Sequence, residues 1–209
     1  MKIESLKTTP DRAGRYWLTL DDGRRIPLYR QTVEDFGLYA GMELSESAWQ
    51  EIQEAAGATS AKMRAVRIVA ASSVSRKDLQ QRLVQKGEDP RQAAEAVAWM
   101  EQLHLVDDGE TARHIVARCA AKGYGIGRAK QALYEKKIPK SYWDAALADY
   151  PDQTDAILAF LQSRLDSHAD QKEVKKAMDA LIRRGHTYSD IRSAMAKMAL
   201  EADEFPEEA

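Results

Sequence analysis

The sequence predicts a mainly α-helical protein, with three tandem three-helix repeats in an elongated array and a small β-containing unit ahead of them. Three observations predict this fold. Aromatic and β-branched residues gather near the start of the chain, as they do in strands. From about Ser60 onward, apolar residues recur with the 3.6-residue period of a helix. A leucine followed three residues later by a cation returns at Leu83, Leu133 and Leu181, and such a fixed period marks an array of similar units.

The first predicted unit, residues 1–59, begins with a β-hairpin. The segments Arg15–Leu20 and Arg25–Tyr29 are rich in strand-forming residues, and Asp22-Gly23 between them accepts the positive φ of a tight turn. Pro27 has no N–H to donate to a neighbouring strand, so the second strand of the hairpin is expected at the edge of its sheet.

Short helices are predicted to complete this unit. Thr32–Asp35 has the composition of a capping box that starts a helix, and Ser45 is a suitable N-cap for a short helix carrying Trp49. The small residues Gly57–Ser60 then predict a linker to the first repeat. The first boundary between units is therefore expected near residue 59.

Each repeat is predicted to contain three helices. The recurring leucine lies on the buried face of its helix, and in two of three copies a glycine four residues later can end that helix in the left-handed conformation. A new helix is expected directly afterwards, at Asp89-Pro90, at Ile138-Pro139 and at the capping box Thr187–Asp190. The predicted repeats are residues 60–106, 107–150 and 151–200, followed by an acidic tail, 201–209, that is expected to be disordered.

Composition narrows the classes of function. The chain has 31 basic and 33 acidic residues, and a net charge of -2 excludes a whole-chain polycation. The single cysteine, Cys119, excludes an internal disulfide, and four scattered histidines give no zinc spacing. No phosphate-binding loop of the G-x-x-x-x-G-K-[ST] kind is present. We expect a cytoplasmic protein with no catalytic residues, cofactor, metal site, membrane partner or small-molecule substrate.

Other motifs resemble functional sites but are interpreted structurally. Gly123–Arg128 is rich in glycine, yet it follows a helix and is predicted to be a turn between helices. His114 and Cys119 diverge on a helix and form a poor metal pair, and Asp107-Asp108 is interpreted as a helix N-cap. The tryptophans are interpreted as core anchors rather than a base-stacking platform; they are Trp17, Trp49, Trp99 and Trp143.

The charge is distributed unevenly along the chain. Residues 1–59 have a net charge of -3, whereas the three repeats carry +3, +2 and +1. A single lysine or arginine of this kind is typical of a solvated helix surface with i,i+4 pairing, but recurrence at corresponding positions favours a role in binding a polyanion or an acidic groove. The candidate contact residues are Arg76, Lys77, Arg82, Lys86, Arg91, Arg113, Arg118, Lys122, Arg128, Lys130, Lys136, Lys137, Lys140, Lys172, Lys175, Lys176, Arg183 and Arg184.

A family resemblance rests on the second repeat. The stretch Asp107–Arg113, followed by Arg118 and Lys122–Gly125, resembles the second repeat of the RecX family, regulators of the RecA recombinase. The recurring leucine pattern and Ser75–Leu79 are also similar to that family, and the resemblance spans roughly residues 60–200. Two departures affect local packing in this repeat: Thr111 stands where an aromatic residue is usual, and Lys137 replaces the expected glycine.

The resemblance implies a non-enzymatic protein that lies in the helical groove of a RecA filament on single-stranded DNA. It implies that ATP hydrolysis and strand exchange are blocked, that the partner is the RecA filament with single- or double-stranded DNA as a further partner, and that the basic residues make the contacts. Two other functions stay open: a helix-turn-helix reader of duplex DNA, and a passive helical scaffold. The small excess of positive charge and the absence of asparagine, a common reader of adenine, count against the duplex reader.

Overall fold

Ten α-helices, one 3₁₀ turn and a three-stranded antiparallel sheet make up the part of the chain that the computed structural model describes, residues 1–166 and 169–204, with side chains described as far as Met198. The predicted mainly α-helical class with a small N-terminal β segment is confirmed. The described chain divides into two compact units, Met1–Asp107 and Asp108–Ala209.

The sheet contains the predicted hairpin and one further strand. Strands β2 (Arg15–Leu20) and β3 (Arg25–Tyr29) pair around Gly23, which has a φ of 84°, and Pro27 lies on the edge strand as predicted. Strand β1 (Ile3–Leu6) pairs with β2 on its other side. The sequence did not predict β1, because four residues with a glutamate and a serine among them give little strand signal.

Two predictions for the following segment are wrong. Helix α1 (Arg30–Asp35) starts directly after β3 with Tyr29 as its N-cap, so Thr32 lies inside the helix and is buried rather than capping it. Helix α2 (Glu46–Ala71) is capped by Ser45 as predicted, but it runs without a break through Gly57–Ser60.

Gly57 does not end α2 but lies within it, where the side chain of Gln92 packs closely. A Cβ added at Gly57 would lie 2.3 Å from the side-chain oxygen of Gln92. The glycine therefore leaves room for the Gln92 side-chain amide beside α2, at a cost of about 1 kcal/mol in helix propensity. The predicted boundary at residue 59 falls inside one continuous helix.

The rest of the first unit packs against the second half of α2. Helices α3 (Arg76–Gln85) and α4 (Pro90–Gln102) enclose a core that includes Leu79, Leu83 and Met100. The N-cap role predicted for Asp89 ahead of Pro90 is confirmed. The sheet has its own core on one face, formed with the first half of α2 around Trp49 and Ile52.

The described part of the second unit contains six helices and a 3₁₀ turn. Helices α5 (Asp108–Ala121), α6 (Ile126–Glu135) and α7 (Trp143–Leu147), with the turn Lys140–Tyr142, share one core; helices α8 (Thr154–Gln162), α9 (Gln171–Arg183) and α10 (Tyr188–Glu204) share another. The capping box predicted at Thr187 and Asp190 is confirmed, with hydrogen bonds of 3.1 and 3.3 Å. The predicted acidic tail 201–209 is helical to Glu204, and its residues 205–209 lie outside the described residues.

The three recurring leucines end their helices in the same way. Leu83, Leu133 and Leu181 are fully buried. Each leucine carbonyl accepts the N–H of the residue five positions later, at 3.1, 3.0 and 3.2 Å respectively. The residue before that donor is left-handed in all three places, with φ of 89° at Gly87, 56° at Lys137 and 88° at Gly185. Lys137 thus adopts the conformation predicted for the glycine that it replaces.

Candidate partner interface

Most of the predicted contact residues are exposed and have no carboxylate partner. Twelve of the eighteen lie at the surface without an ion pair within the described ranges; they are Lys77, Lys86, Arg113, Arg118, Lys122, Lys130, Lys140, Lys172, Lys175, Lys176, Arg183 and Arg184. Lys136 and Lys137 are half-buried at the end of α6. The structure therefore leaves a majority of these cations accessible to a partner.

Four predicted contact residues are instead bound within the chain. Arg76 pairs with Glu101 at 2.7 Å, Arg82 with Asp78 at 2.8 Å and Arg128 with Glu135 at 3.1 Å, and Arg91 pairs with Glu54 and Glu95. Hydrogen bonds from Gln131 and Arg128 hold the pKa of Glu135 below its usual range. These arginines are weaker candidates than the sequence indicated, because a partner anion would have to displace a carboxylate that is already in place.

Helix α9 presents the longest accessible set of cations. Ala177 and Leu181 are buried on one face, while Lys172, Lys175, Lys176 and Arg183 are exposed on the rest of the helix. A complete capping box fixes the start of this helix, because Asp170 accepts from the Glu173 N–H at 2.7 Å and Glu173 accepts from the Asp170 N–H at 3.0 Å. Asp179 lies among these cations and is exposed. The helix thus offers a rigid, net positive face, hereafter the α9 face.

Arg184 differs from its neighbours on α9. Its guanidinium lies 4.6 Å from the centre of the Phe160 ring, and its carbonyl accepts the N–H of Gly125 at 3.0 Å. Arg184 therefore helps to hold α8 and the start of α6 in place, and a substitution there would change more than surface charge.

Helix α5 carries a second set of exposed cations. Arg113 and Arg118, with Lys122 just after the helix, are exposed, whereas Ala112, Ile115, Val116 and Cys119 are buried on the other face. Burial raises the pKa of the Cys119 thiol, which disfavours its reactive thiolate. The cysteine is therefore part of the core.

The glycine-rich turn before α6 joins the two helical groups of the second unit. A turn is confirmed at Gly123–Gly125, but Ile126–Arg128 of the predicted turn already belong to α6, and the packing of the turn was not predicted. The N–H of Gly127 donates to the Gly185 carbonyl at 3.0 Å. Cβ atoms added at Gly125 and Gly185 would each lie 2.1 Å from backbone atoms of the other segment. We call this contact the glycine junction; it brings Arg128 next to Gly185.

His186 is buried beside the glycine junction, and its environment predicts how the stability of the folded chain depends on pH. Its Nε2 lies 3.1 Å from the Gly123 carbonyl, to which an Nε2–H can donate, and burial lowers the pKa of His186. Asp190 and Arg184 are the charged groups that act on it, in opposite directions. Because an unfolded histidine titrates near 6.5, the unfolded chain binds the proton more readily than the folded chain. Stability is therefore expected to fall as pH drops below about 6.5 toward the lower folded pKa.

Thermal unfolding of the chain at pH 7.5 and pH 5.5 checks this expectation. His186→Gln keeps a donor for the Gly123 carbonyl but does not titrate, so this variant is expected to lose less of its melting temperature between the two pH values than the unaltered protein. An equal loss in both proteins would show that His186 is not the group responsible.

Two arginines of the first unit, Arg64 and Arg67, were not among the predicted contact residues. Arg64 and Arg67 on α2 join Arg82 and Lys86 on α3 around a surface groove of about 400 Å³. Their signal in the sequence was the i,i+3 spacing of Arg64 and Arg67 on one helix face. Trp49 is a core anchor as predicted, with 2% exposure, and Trp99 and Trp143 are half-buried against cores.

Trp17 is not a core anchor. It is half-buried on the sheet face opposite the core, where the guanidinium groups of Arg15 and Arg25 lie within cation–π distance of its ring. The interpretation of Trp17 as core was wrong because alternation along β2 places Leu18 and Leu20, not Trp17, on the buried face.

Comparison with known proteins decides the family. No family model matches the sequence. A regulatory protein RecX of Halorhodospira halophila is 30% identical over 146 residues, which cover 68% of this chain and 91% of that protein. The chain belongs to the RecX family. A regulatory protein RecX of Clostridioides difficile is 27% identical over 210 residues, covering 98% of this chain and 97% of the other.

Two solved RecX structures have the same fold. A crystal structure of regulatory protein RecX superimposes with a TM-score of 0.64 at 21% identity, over 92% of this chain and 98% of the other. The crystal structure of RecX from Lactobacillus salivarius gives 0.63 at 19% identity, over 70% of this chain and 99% of the other. The N-terminal sheet and the helices that follow are thus a RecX architecture.

Proposed function

We propose that this protein is a non-enzymatic regulator that binds RecA filaments on single-stranded DNA, lies in the filament groove and inhibits ATP hydrolysis and strand exchange. The observation that carries the proposal is the α9 face, a set of cations without carboxylate partners within the described ranges, in a chain whose relatives are named regulatory proteins. A rigid positive surface of this kind is complementary to the acidic groups of a protein filament or to DNA phosphates.

We infer that the three helical groups are copies of one three-helix repeat. The same helix ending at Leu83, Leu133 and Leu181 supports this, since each has a buried leucine, a left-handed residue and a hydrogen bond that spans five positions. Repetition would place similar cationic helices at intervals along the chain, which suits a partner that is itself a polymer of identical subunits. In this proposal the regulator and the filament meet in the cytoplasm.

Binding rather than catalysis is supported by the role of the buried polar groups. Glu88, 8% exposed, accepts hydrogen bonds from Ser60 and Arg64, and His186 lies against a backbone carbonyl. The backbone N–H groups of Glu88 and His186 each donate to the carbonyl of a recurring leucine. Both residues therefore belong to the helix endings, and their side-chain partners are structural.

No helix within residues 1–166 and 169–204 is long and apolar enough to cross a membrane.

Reversing charge on the α9 face is expected to weaken inhibition of RecA. In the variant Lys175→Glu, Lys176→Glu, Arg183→Glu, the α9 face repels the anionic partner that it attracts in the unaltered protein. The concentration of regulator that halves the RecA ATPase rate on single-stranded DNA should therefore rise at least about tenfold. This corresponds to a loss of roughly 1.4 kcal/mol in binding free energy. Arg184 is left intact because it stacks on Phe160. The ATPase rate is measured as the regulator is titrated, beside a DNA-binding assay without RecA.

The matched control keeps the charge. Lys175→Arg, Lys176→Arg, Arg183→Lys should inhibit like the unaltered protein, and melting temperatures of both variants report on folding. Full inhibition by the charge-reversed variant would contradict the assignment of the α9 face. Suppression far below one regulator per groove site would contradict groove occupancy and indicate capping of filament ends.

A further inference from the structure

The outer face of the N-terminal sheet carries half-buried aromatic side chains next to cationic ones, of which Arg25 is exposed. Leu18 and Leu28 point into the core, so strand alternation places Trp17 on the opposite face, where it pairs with Pro27 across the ladder. The guanidinium carbon of Arg25 lies 4.1 Å from the centre of the Trp17 ring, and that of Arg15 lies 5.5 Å away. The guanidinium of Arg25 is thus in cation–π contact with the indole.

This surface continues from the sheet onto α2. Tyr29 lies opposite Arg15 in the ladder. Arg67 donates to the Tyr29 hydroxyl at 3.1 Å and to the Ala13 carbonyl at 2.8 Å, so its guanidinium is held at the edge of the sheet. Arg67 also lines the groove of about 400 Å³ that Arg82 and Lys86 border. A continuous path therefore leads from Trp17 across Tyr29 to the groove.

Three cations along this path lack a carboxylate partner within the described ranges: Arg25, Arg67 and Lys86. The others are neutralised, because Arg15 pairs with Asp11, Arg64 with Glu88 and Arg82 with Asp78. The net charge of -3 for residues 1–59 does not indicate this positive surface, because the bases and most of the acids lie in different parts of the segment. All seven bases of that segment fall within residues 1–30, where they face four acids, and the other six acids lie between residues 34 and 54.

We propose that this path, from Trp17 through Tyr29 and Arg67 to Lys86, binds single-stranded DNA. One unpaired base stacks on the Trp17–Arg25 pair, and the phosphates of the following nucleotides contact Arg25, Arg67 and Lys86. Aromatic side chains and guanidinium planes both accept unpaired bases. A duplex keeps its bases stacked inside, so it would use the cations but not the indole. The inference goes beyond the proposed function because it concerns DNA binding in the absence of RecA.

Binding of the full chain to a fluorescently labelled dT20 oligonucleotide, without RecA, tests the proposal. Three phosphate contacts predict a slope near -2 in the plot of log affinity against log salt, which is a loss of roughly 20-fold between 50 and 200 mM salt. Trp17→Leu keeps an apolar side chain but removes stacking, and is expected to weaken binding about tenfold with little change in the slope. Arg25→Ala with Arg67→Ala should reduce the steepness of the slope by about 1.4.

The matched control removes the same amount of charge elsewhere. Arg24 and Arg91 are exposed and paired with Asp22 and Glu54, so Arg24→Ala with Arg91→Ala should leave dT20 affinity within about twofold, since exposed pairs contribute little. Melting temperatures report on the folding of each variant.

Three outcomes would overturn the proposal. The first is no binding of dT20 at 50 mM salt, and the second is equal affinity in the Trp17→Leu variant and the unaltered protein. The third is stronger competition by polyglutamate or by a duplex of the same length than by dT20, which would assign the surface to an acidic protein or to duplex DNA. Because the assay contains no RecA, none of these outcomes bears on inhibition of RecA ATPase.

Discussion

Replacing Gly185 by alanine is expected to lower the free energy of unfolding by about 3–5 kcal/mol. Gly185 has a φ of 88°, and an added Cβ would lie 2.1 Å from the backbone nitrogen of Arg128. The left-handed conformation costs a non-glycine residue roughly 1–2 kcal/mol, and overpacking against backbone adds about 1–3 kcal/mol. Separation of the two segments would also weaken the hydrogen bonds from Gly125 and Gly127, each contributing about 1 kcal/mol.

Gly87→Ala is the control for backbone strain alone. Gly87 ends α3 in the same way, with a φ of 89°, but an added Cβ would meet nothing within 4 Å. The expected loss is therefore only about 1–2 kcal/mol. Urea unfolding followed by circular dichroism gives both values. Equal losses at the two glycines would mean that the glycine junction yields easily and does not fix the two helical groups.

The glycine junction is a contact between segments far apart in the sequence, and local sequence patterns do not predict such a contact. The turn at Gly123–Arg128 was predicted because a glycine after a helical stripe is a local signal. Its partner at Gly185 is sixty residues away from Gly125, and no local pattern indicates which distant backbone a glycine will touch. For the same reason Gly57 was interpreted as a linker, although it makes room for Gln92 within a continuous helix.

Turns and helix caps that depend only on residues close in the sequence were predicted reliably. The hairpin turn at Gly23, the N-caps at Ser45 and Asp89 and the capping box at Thr187 all depend on contacts within four residues, and all were predicted correctly. The capping box expected at Thr32 failed because the chain already turns into a helix after β3, which places Thr32 inside it.

The candidate interface stays a prediction, but the structure shows which of its cations are bound within the chain. Recurring cations identified the α9 face, since Lys172, Lys175 and Lys176 have no distant acid to bind within the described ranges. The ion pair of Arg91 with Glu54, 37 residues earlier in the chain, could not be predicted from the local sequence. Trp17 was missed because its exposure depends on which face of the sheet α2 covers, and that is decided by tertiary packing.

Truncation of a recurring leucine is expected to be the other strongly destabilising change. Leu133 is fully buried in a core that joins α5 to α6, and Leu181 is fully buried in the core shared by α8, α9 and α10. Leu133→Ala and Leu181→Ala should each cost about 2–5 kcal/mol, from the lost burial and the cavity that remains. The urea midpoint should fall while the denaturant slope stays constant.

The residue that follows each leucine provides the matched control, because it is also apolar but faces solvent. Val84 is 40% exposed and Ile182 is 45% exposed, so Val84→Ala and Ile182→Ala should cost less than about 1 kcal/mol, since little apolar area is uncovered. If the three helical groups are copies of one repeat, Leu83→Ala should resemble Leu133→Ala and Leu181→Ala in cost, subject to how far each site can collapse. A Leu83→Ala loss no larger than that of Val84→Ala would contradict this role, because the helix ending at residues 83–88 would then not depend on the leucine it is built around.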